Sequence, residues 1–306
     1  MLGTRRAFAA VVLAIGLFGA ACGGTDFARR APVPEPHPVA RPVADAVVRS
    51  PALQAELLRA VSRTAAARTA RTSISVTLTG RGASGAVVGA FDVAGTGVVD
   101  AKTGDARLEL SVPLLDRIGG GGPIEQRIVG GVVYTTMPAR VLRAGGVPAP
   151  VRWLSLDPRH VSASQPAALS QSQSQADPAG QLGFLAAISD DVRRIGPEAV
   201  RGVPATHYAA TIDLGAAARG TPPGVAAARK LAQLGAFAGT RRPAVDVWLD
   251  ADGRARRVVV AVAMSSGQTM RIQGDFYAFG APLRVAAPPQ SEVRPYGSFR
   301  IRTPAG

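Results

Sequence analysis

Asp246 and Asp250 are the residues whose type and spacing come closest to a catalytic pair. They flank Trp248 in an alternating segment that predicts a β-strand, and two carboxylates beside an aromatic ring could bracket a sugar. An offset of four residues along a strand spans about 13 Å at ~3.3 Å per residue, whereas carboxylates that hydrolyse glycosides lie about 5 to 9.5 Å apart. We therefore interpret both aspartates as solvated charges at a strand edge.

Other patterns that could carry cofactor or metal chemistry are equally weak. Residues 80–85 (Gly-Arg-Gly-Ala-Ser-Gly) match the dinucleotide fingerprint in letters, but residues 87–91 continue as a strand where that site needs a helix, so we predict a hairpin turn. His37, His160 and His207 have no partner at metal-ligand spacing, and each is expected to be a satisfied or exposed histidine. The sequence therefore predicts no catalytic residues, no metal and no cofactor, and a protein that is not an enzyme.

Cys22 is the only cysteine in the 306 residues, and its position predicts a covalent modification. Arg5 and Arg6 supply the positive charge of an export signal, residues 7–18 an apolar run, and residues 19–21 the small side chains that a signal peptidase needs. The apolar run is too short for a membrane span of ~20 residues. The pattern resembles the bacterial lipobox, which implies cleavage before Cys22 and acylation of its thiol and amino group. A protein held by these chains lies on the extracytoplasmic face of the cell membrane.

Composition limits the fold and the partners. The formal net charge is +14, which favours attraction to anionic lipid head groups, each arginine contributing about 1 kcal/mol near the surface. Nucleic acid is not expected as a partner, because no basic cluster is interleaved with aromatic residues. Aromatic residues make up 5% of the chain while Gly (35) and Pro (24) are frequent, so the core must be built from Val, Leu, Ala and Ile with many turns. This argues against a helical bundle.

The chain is organised as one domain with two tails. Residues 1–21 are predicted to be the signal peptide, and the proline-rich residues 22–49 a semi-extended tether. The folded domain is predicted over residues 50–289. Within it the Ser/Gln-rich residues 162–176 are too polar to pack and are expected to form a mobile loop, and residues 290–306 a disordered tail.

The predicted domain consists mainly of strands. Ser50-Pro51 is an N-cap followed by proline and opens an amphipathic helix whose apolar face carries Leu53, Leu57, Leu58 and Val61. Similar signals at residues 177–178 and 221–222 predict short helices. The clearest hairpin comprises residues 245–249 and 258–264 around an Asp252-Gly253 turn.

Apolar residues alternate with polar ones along these strands, so one face of the sheet is expected to be buried. This face is expected to be concave, and it can either enclose a hydrophobic cavity or pack as a solid core. The residues predicted to line a lipid cavity are Ile74, Val76, Leu78, Leu108, Leu110, Val245, Val247, Leu249, Val258 and Val260.

Several short segments resemble the LppX/LprG-type lipoproteins of mycobacteria and their actinobacterial relatives. The segments that carry the resemblance are residues 130–134 (Gly-Gly-Val-Val-Tyr), Trp153-Leu154, residues 196–202 (Gly-Pro-Glu-Ala-Val-Arg-Gly), residues 206–208 (Thr-His-Tyr), Asp213, residues 245–250 (Val-Asp-Val-Trp-Leu-Asp), Gly253, Phe279-Gly280 and Pro288-Pro289.

The resemblance implies a fold and a function. The fold would be α+β, a curved antiparallel half-barrel sheet similar to that of the lipoprotein carrier LolA, wrapped over a few amphipathic helices. The interior would take acyl chains of lipids or glycolipids and move them across the envelope, with a membrane exporter as a possible partner.

Two function classes therefore agree with the sequence, and a third has less support. The first is a non-enzymatic lipid carrier, tethered to the membrane through Cys22. The second is a non-enzymatic interaction or sensory module that packs a solid core and docks on a membrane partner through its basic surface. A third, an envelope hydrolase, would need a site assembled from residues that no motif shows.

Overall fold

The structure, a computed structural model, describes residues 50–80, 91–113, 122–144, 146–157, 185, 188–213, 240, 242–263 and 268–296. The predicted signal peptide, tether, Ser/Gln-rich loop and later helices lie outside the described residues. In chain order the elements are α1 (Pro51–Ala66), β1 (Thr69–Gly80), β2 (Phe91–Asp100), β3 (Ala106–Ser111), β4 (Ile124–Val129), β5 (Val132–Thr136), α2 (Ala139–Ala144), β6 (Trp153–Leu156), β7 (Arg193–Val200), β8 (Val203–Thr211), β9 (Ala244–Leu249), β10 (Ala255–Ala263), β11 (Gln268–Tyr277) and β12 (Val293–Pro295).

Helix α1 begins where its sequence predicts. The Ser50 side chain accepts a hydrogen bond from the Leu53 amide (3.5 Å), and Pro51 occupies the first turn, where its missing amide hydrogen leaves no bond unmade. Leu57 and Ala60 are buried. Leu58 was predicted on the same apolar face but is 38% exposed, because it lies about 100° around the helix from Leu57.

The described strands form one open sheet in the order β12-β6-β5-β4-β3-β2-β1-β11-β10-β9-β8-β7. All neighbours are antiparallel except β12 and β6, which are parallel. β1 pairs antiparallel with β2, which begins at Phe91. The predicted turn at residues 80–85 and the predicted strand at 87–91 lie, apart from Gly80 and Phe91, outside the described residues. The predicted hairpin of β9 and β10 is confirmed, with Gly253 in the left-handed region of its turn (φ 70°).

The sheet curves as a half-barrel around α1. We call the face toward α1 the inner face. Leu57 of α1 packs in one apolar cluster with residues from distant strands, such as Ile124 of β4 and Tyr208 of β8. The predicted α+β half-barrel is therefore confirmed. Among the described residues, no helix is both long and apolar enough to span a membrane.

Two predictions about the sheet are wrong. Asp246 and Asp250 are not solvated edge charges, because β9 lies between β8 and β10 and the two residues are 1% and 9% exposed. The chain beyond residue 289 is not wholly disordered either, since residues 290–292 form a turn of 3₁₀-helix and β12 pairs with β6. Backbone hydrogen bonds such as Arg152 N–H to Glu292 O (3.0 Å) hold this segment. Residues 297–306 lie outside the described part.

Candidate functional site

The inner face brings together all ten residues predicted to line a cavity. Nine of them are members of one buried apolar cluster and are at most 4% exposed, while Leu78 is partly buried against it. They come from β1, β3, β9 and β10, so the cluster crosses the middle of the sheet. Alternation along each strand predicted the correct face, because successive side chains of a strand point to opposite sides.

The register of the strands explains how these side chains meet. Ile74 lies opposite Gly274 on one side and Gly95 on the other, and Gly95 in turn lies opposite Leu110. A Cβ at Gly95 would be 2.7 Å from Leu110 Cδ2 and 3.1 Å from Ile74 Cγ2. Gly95 is therefore required for Ile74 and Leu110 to approach each other across β2.

Polar contacts fix α1 over the inner face. The Thr64 hydroxyl accepts a hydrogen bond from the Ala255 amide (2.9 Å) and donates one to the Ala60 carbonyl (2.7 Å). Near the other end of the helix, the Gln54 side-chain amide donates to the Ile188 carbonyl (2.7 Å). Both ends of α1 are thus attached to the sheet domain, and its apolar residues are held against the cluster.

Tyr208 and Glu56 form a polar pair at this apolar cluster. The Tyr208 hydroxyl donates to Glu56 Oε1 at 2.8 Å, which joins β8 to α1. Burial, together with this hydrogen bond and the Glu56 charge, raises the pKa of Tyr208 to about 12. The phenol is therefore neutral at physiological pH and remains a hydrogen-bond donor to the carboxylate.

The outer face carries a buried ionic network beside a small apolar cluster that contains Trp248. Asp275 is fully buried and accepts two hydrogen bonds from Arg257 (2.7 and 2.9 Å) and one from Arg201 (3.1 Å). Arg201 also donates to the Ser73 hydroxyl (2.7 Å), so the turn between β7 and β8 is held down over the neighbouring strands. Three strands (β1, β10 and β11) and the turn between β7 and β8 are joined in this way.

His207 is a second centre of the outer face. Its Nε2 lies 2.8 Å from Asp246 Oδ1 and its Nδ1 3.5 Å from Glu198 Oε2. Its ring stacks on Trp248 with centroids 4.1 Å apart, and Trp248 donates to Glu198 (2.9 Å). The prediction of a satisfied histidine is confirmed for His207. Within the described residues, no three His, Cys, Asp or Glu side chains are grouped as a metal site.

The described residues also line two open surface hollows, of about 440 and 430 Å³. One lies beside the turn between β2 and β3, near Asp100 and Asp105. The other lies on the outer face next to α2 and is bordered by Arg107, Glu109 and Arg152. Neither hollow contains any of the ten predicted residues, so neither is the predicted cavity.

Sequence reasoning missed the polar groups at the site. Tyr208 was noted only as part of a resembling segment, and Glu56 was not considered as a site residue. The Arg257–Asp275 pair was not recognised at all, because the two residues are distant in sequence and meet only through the register of β10 with β11. One signal could have indicated the network. It is a charged residue at an outward position of a strand whose other residues are apolar.

Comparison with protein families found no family model that matches the chain. Over 142 residues, 44% of the chain, it is 30% identical to the "Uncharacterized 31.2 kDa protein in rplA-rplJ intergenic region" of Streptomyces griseus. The matched stretch spans 45% of that relative, less than half of its length.

The structure is similar to several solved ones, all with low identity. Lipoprotein LppX of Mycobacterium tuberculosis matches 77% of this chain and 99% of its own, with 16% identity and a TM-score of 0.43. LprF from Mycobacterium bovis matches 78% and 98%, with 14% identity and a TM-score of 0.41. The LolA superfamily protein NE2245 from Nitrosomonas europaea matches 77% and 96%, with 11% identity and a TM-score of 0.30.

Proposed function

We propose that this protein is a membrane-anchored lipoprotein that binds the acyl chains of lipids or glycolipids on its inner face and carries them within the cell envelope. The supporting observation is the single apolar cluster of the inner face, in which residues of α1 meet those of strands from β1 to β4 and from β8 to β11. The lipobox-like register of Cys22 supports the anchor. No enzymatic step is part of the proposal.

Hydrophobic transfer would supply the binding energy. Each methylene withdrawn from water contributes ~0.8 kcal/mol, so a chain with fifteen methylenes contributes roughly 12 kcal/mol before costs. Association itself costs about 4 to 15 kcal/mol, and the cluster must separate to admit the chain. A lipid with two or more chains is therefore the expected cargo.

A second candidate is an interaction or sensory module with a solid core, and one observation favours it. The nine cluster residues predicted for the cavity are almost completely buried against one another, as in a packed core. Such a module would dock on a membrane partner through its basic surface, since the net charge is +14.

The two candidates differ in whether the chain retains lipid. The full chain with Cys22→Ser, which lacks the acylated thiol, should co-purify with diacyl or triacyl lipid that native mass spectrometry detects. Leu110→Asp and Val247→Asp place a carboxylate in the inner face, whereas Ser111→Asp places one at the exposed neighbouring position of β3 and is the control. A carboxylate buried in a solid core costs several kcal/mol, but one that faces a cavity can keep water.

A carrier would give folded Leu110→Asp and Val247→Asp chains that have lost the lipid, while Ser111→Asp keeps it. A wild-type chain that carries no lipid and takes up none from vesicles, together with unfolding of both inner-face variants, would support the interaction module.

A further inference from the structure

The Glu56–Tyr208 pair is the most distinctive chemical feature of the inner face. Among the members of the apolar cluster in the described residues, Tyr208 alone carries an oxygen in its side chain. It is 2% exposed, and its hydroxyl bonds to Glu56, which is half-buried on α1 between Leu53 and Leu57. A lipid whose acyl chain enters the cluster beside Glu56 would therefore have its polar end within reach of this pair.

The pair is negative in character. Glu56 accepts a hydrogen bond from the Tyr208 hydroxyl, and a carboxylate can accept further hydrogen bonds. The cation whose charge acts on Tyr208 among the described residues is Arg194, which lies opposite Tyr208 in the β7–β8 pairing and is exposed. Burial is the largest cause of the raised pKa of Tyr208, the Glu56 hydrogen bond and charge come next, and the Arg194 charge lowers the pKa by less than either Glu56 effect raises it.

We infer that Glu56, held by Tyr208, selects the polar end of the cargo, so that the protein binds uncharged acylglycerols with a free hydroxyl in preference to lipids with a phosphate. This inference rests on the proposed function. A free hydroxyl donates a charge-assisted hydrogen bond to the carboxylate. A phosphate brings like charge to a half-buried carboxylate and leaves that hydrogen bond unmade.

Three lipids with the same acyl chains test the inference. The full chain is purified from membranes in detergent, delipidated, and mixed with phosphatidylcholine vesicles that contain dioleoylglycerol, dioleoyl phosphatidic acid or trioleoylglycerol. The first two differ only in the free hydroxyl and the phosphate, and the third has neither. Dioleoylglycerol should bind about 10-fold or more tighter than phosphatidic acid, and tighter than trioleoylglycerol, as one charge-assisted hydrogen bond predicts.

Variants separate selection from a purely structural role. Glu56→Gln keeps the shape and can still accept from Tyr208, so it should fold as the wild-type chain does and reduce the preference over phosphatidic acid to about 3-fold or less. Glu109→Gln changes an exposed carboxylate on β3 and should leave the preference unchanged. A role of Glu56 only in holding α1 to the sheet would change the affinity for all three lipids alike.

The outcomes distinguish the inference from the proposed function. Uptake of all three lipids with equal affinity, or an unchanged preference in Glu56→Gln, would overturn the inference and leave the carrier function standing. Failure of the wild-type chain to take up any of the three would overturn the carrier function and the inference with it.

Discussion

At the scale of single residues, Asp275 is the group on which the outer-face network depends. Its two oxygens accept from Arg257, which is 4% exposed, and from Arg201. Asp275→Asn keeps the shape but leaves the buried Arg257 charge uncompensated, which costs about 3 to 5 kcal/mol. We expect the free energy of unfolding in urea to fall by this amount, a large part of the stability of a domain of this kind.

Asp252→Asn is the matched control for this prediction. Asp252 also pairs with an arginine, Arg254, but its side chain is 67% exposed, and exposed ion pairs contribute at most about 1 kcal/mol. Equal losses for the two variants would contradict the view that burial makes the Asp275 contacts important.

Asp250 gives a prediction for pH. Burial alone would raise its pKa, but hydrogen bonds from the Arg254 amide and from the Arg256 and Arg254 side chains outweigh burial and lower the pKa. A carboxylate with a lowered pKa stabilises the fold above its unfolded pKa of about 4, and this contribution is lost as the pH falls through the folded value. The wild-type chain should therefore exceed Asp250→Asn in thermal stability at pH 7, and the difference should shrink below about pH 4.

Asp252→Asn is again the comparison, because its effect on thermal stability should stay small from pH 7 to pH 3. A difference between wild-type and Asp250→Asn that stays constant over this range would show that Asp250 acts through the shape of the turn and not through its charge.

The sequence predicted apolar residues of the inner face better than polar ones. Ile74, Leu110 and Val247 follow a period of two, which by itself assigns the face of a strand. Glu56 and Tyr208 are 152 residues apart, and their contact depends on how α1 lies across β8. Nothing local in the sequence indicates such a contact, because it is set by the packing of the whole sheet.

At the scale of elements, strands with a long alternation of apolar and polar residues were predicted. β12 was missed because it is too short to show such an alternation. β12 has three residues, Val293, Arg294 and Pro295, and pairs in parallel with β6. Three residues cannot show a period, and a segment rich in proline and arginine has the composition of a disordered tail. Tyr296, which packs against the cluster of Leu142, Val147, Val151 and Leu154, was the available signal of order.

β12 should therefore contribute to stability. A chain that ends after Pro289 loses the backbone pairing with β6 and the Tyr296 contact, whereas a chain that ends after Tyr296 keeps both. We expect the first truncation to lower the free energy of unfolding by about 1 to 3 kcal/mol, mainly through loss of the partly buried Tyr296 side chain. Hydrogen exchange should also become faster for the amides of β6, while β1 and β11 keep their protection.

The chain ending after Tyr296 is the control and should be as stable as the full chain. Equal stability of both truncated chains would mean that β12 pairs with β6 without adding to the free energy of unfolding.

At the scale of the whole molecule, the two faces of the sheet differ in their charged groups. The inner face is apolar apart from Tyr208 and a few hydrogen-bonded groups, and the outer face is tied by arginines and carboxylates. Charged pairs on the outer face hold the strands together without contributing to the inner cluster. Under the proposed function, the inner face would rearrange around a ligand while the outer network preserves the sheet.

The proposed function also needs the domain to be held at a membrane, and this gives the last prediction. Residues 22–49 would connect an acylated Cys22 to Ser50, whose amide donates to the Asp190 carbonyl (2.7 Å) at the start of α1. Each buried methylene contributes ~0.8 kcal/mol and stable attachment takes two or more chains, so loss of the acylated thiol should release the protein. We expect Cys22→Ser to move from the membrane fraction to the soluble fraction and to lose labelling by a fatty-acid analogue. Ser50→Ala, which alters only the cap of α1, should stay in the membrane fraction and keep its label. Membrane fractionation of an unlabelled Cys22→Ser chain at the wild-type level would show that the protein is held by its basic surface and not by lipid.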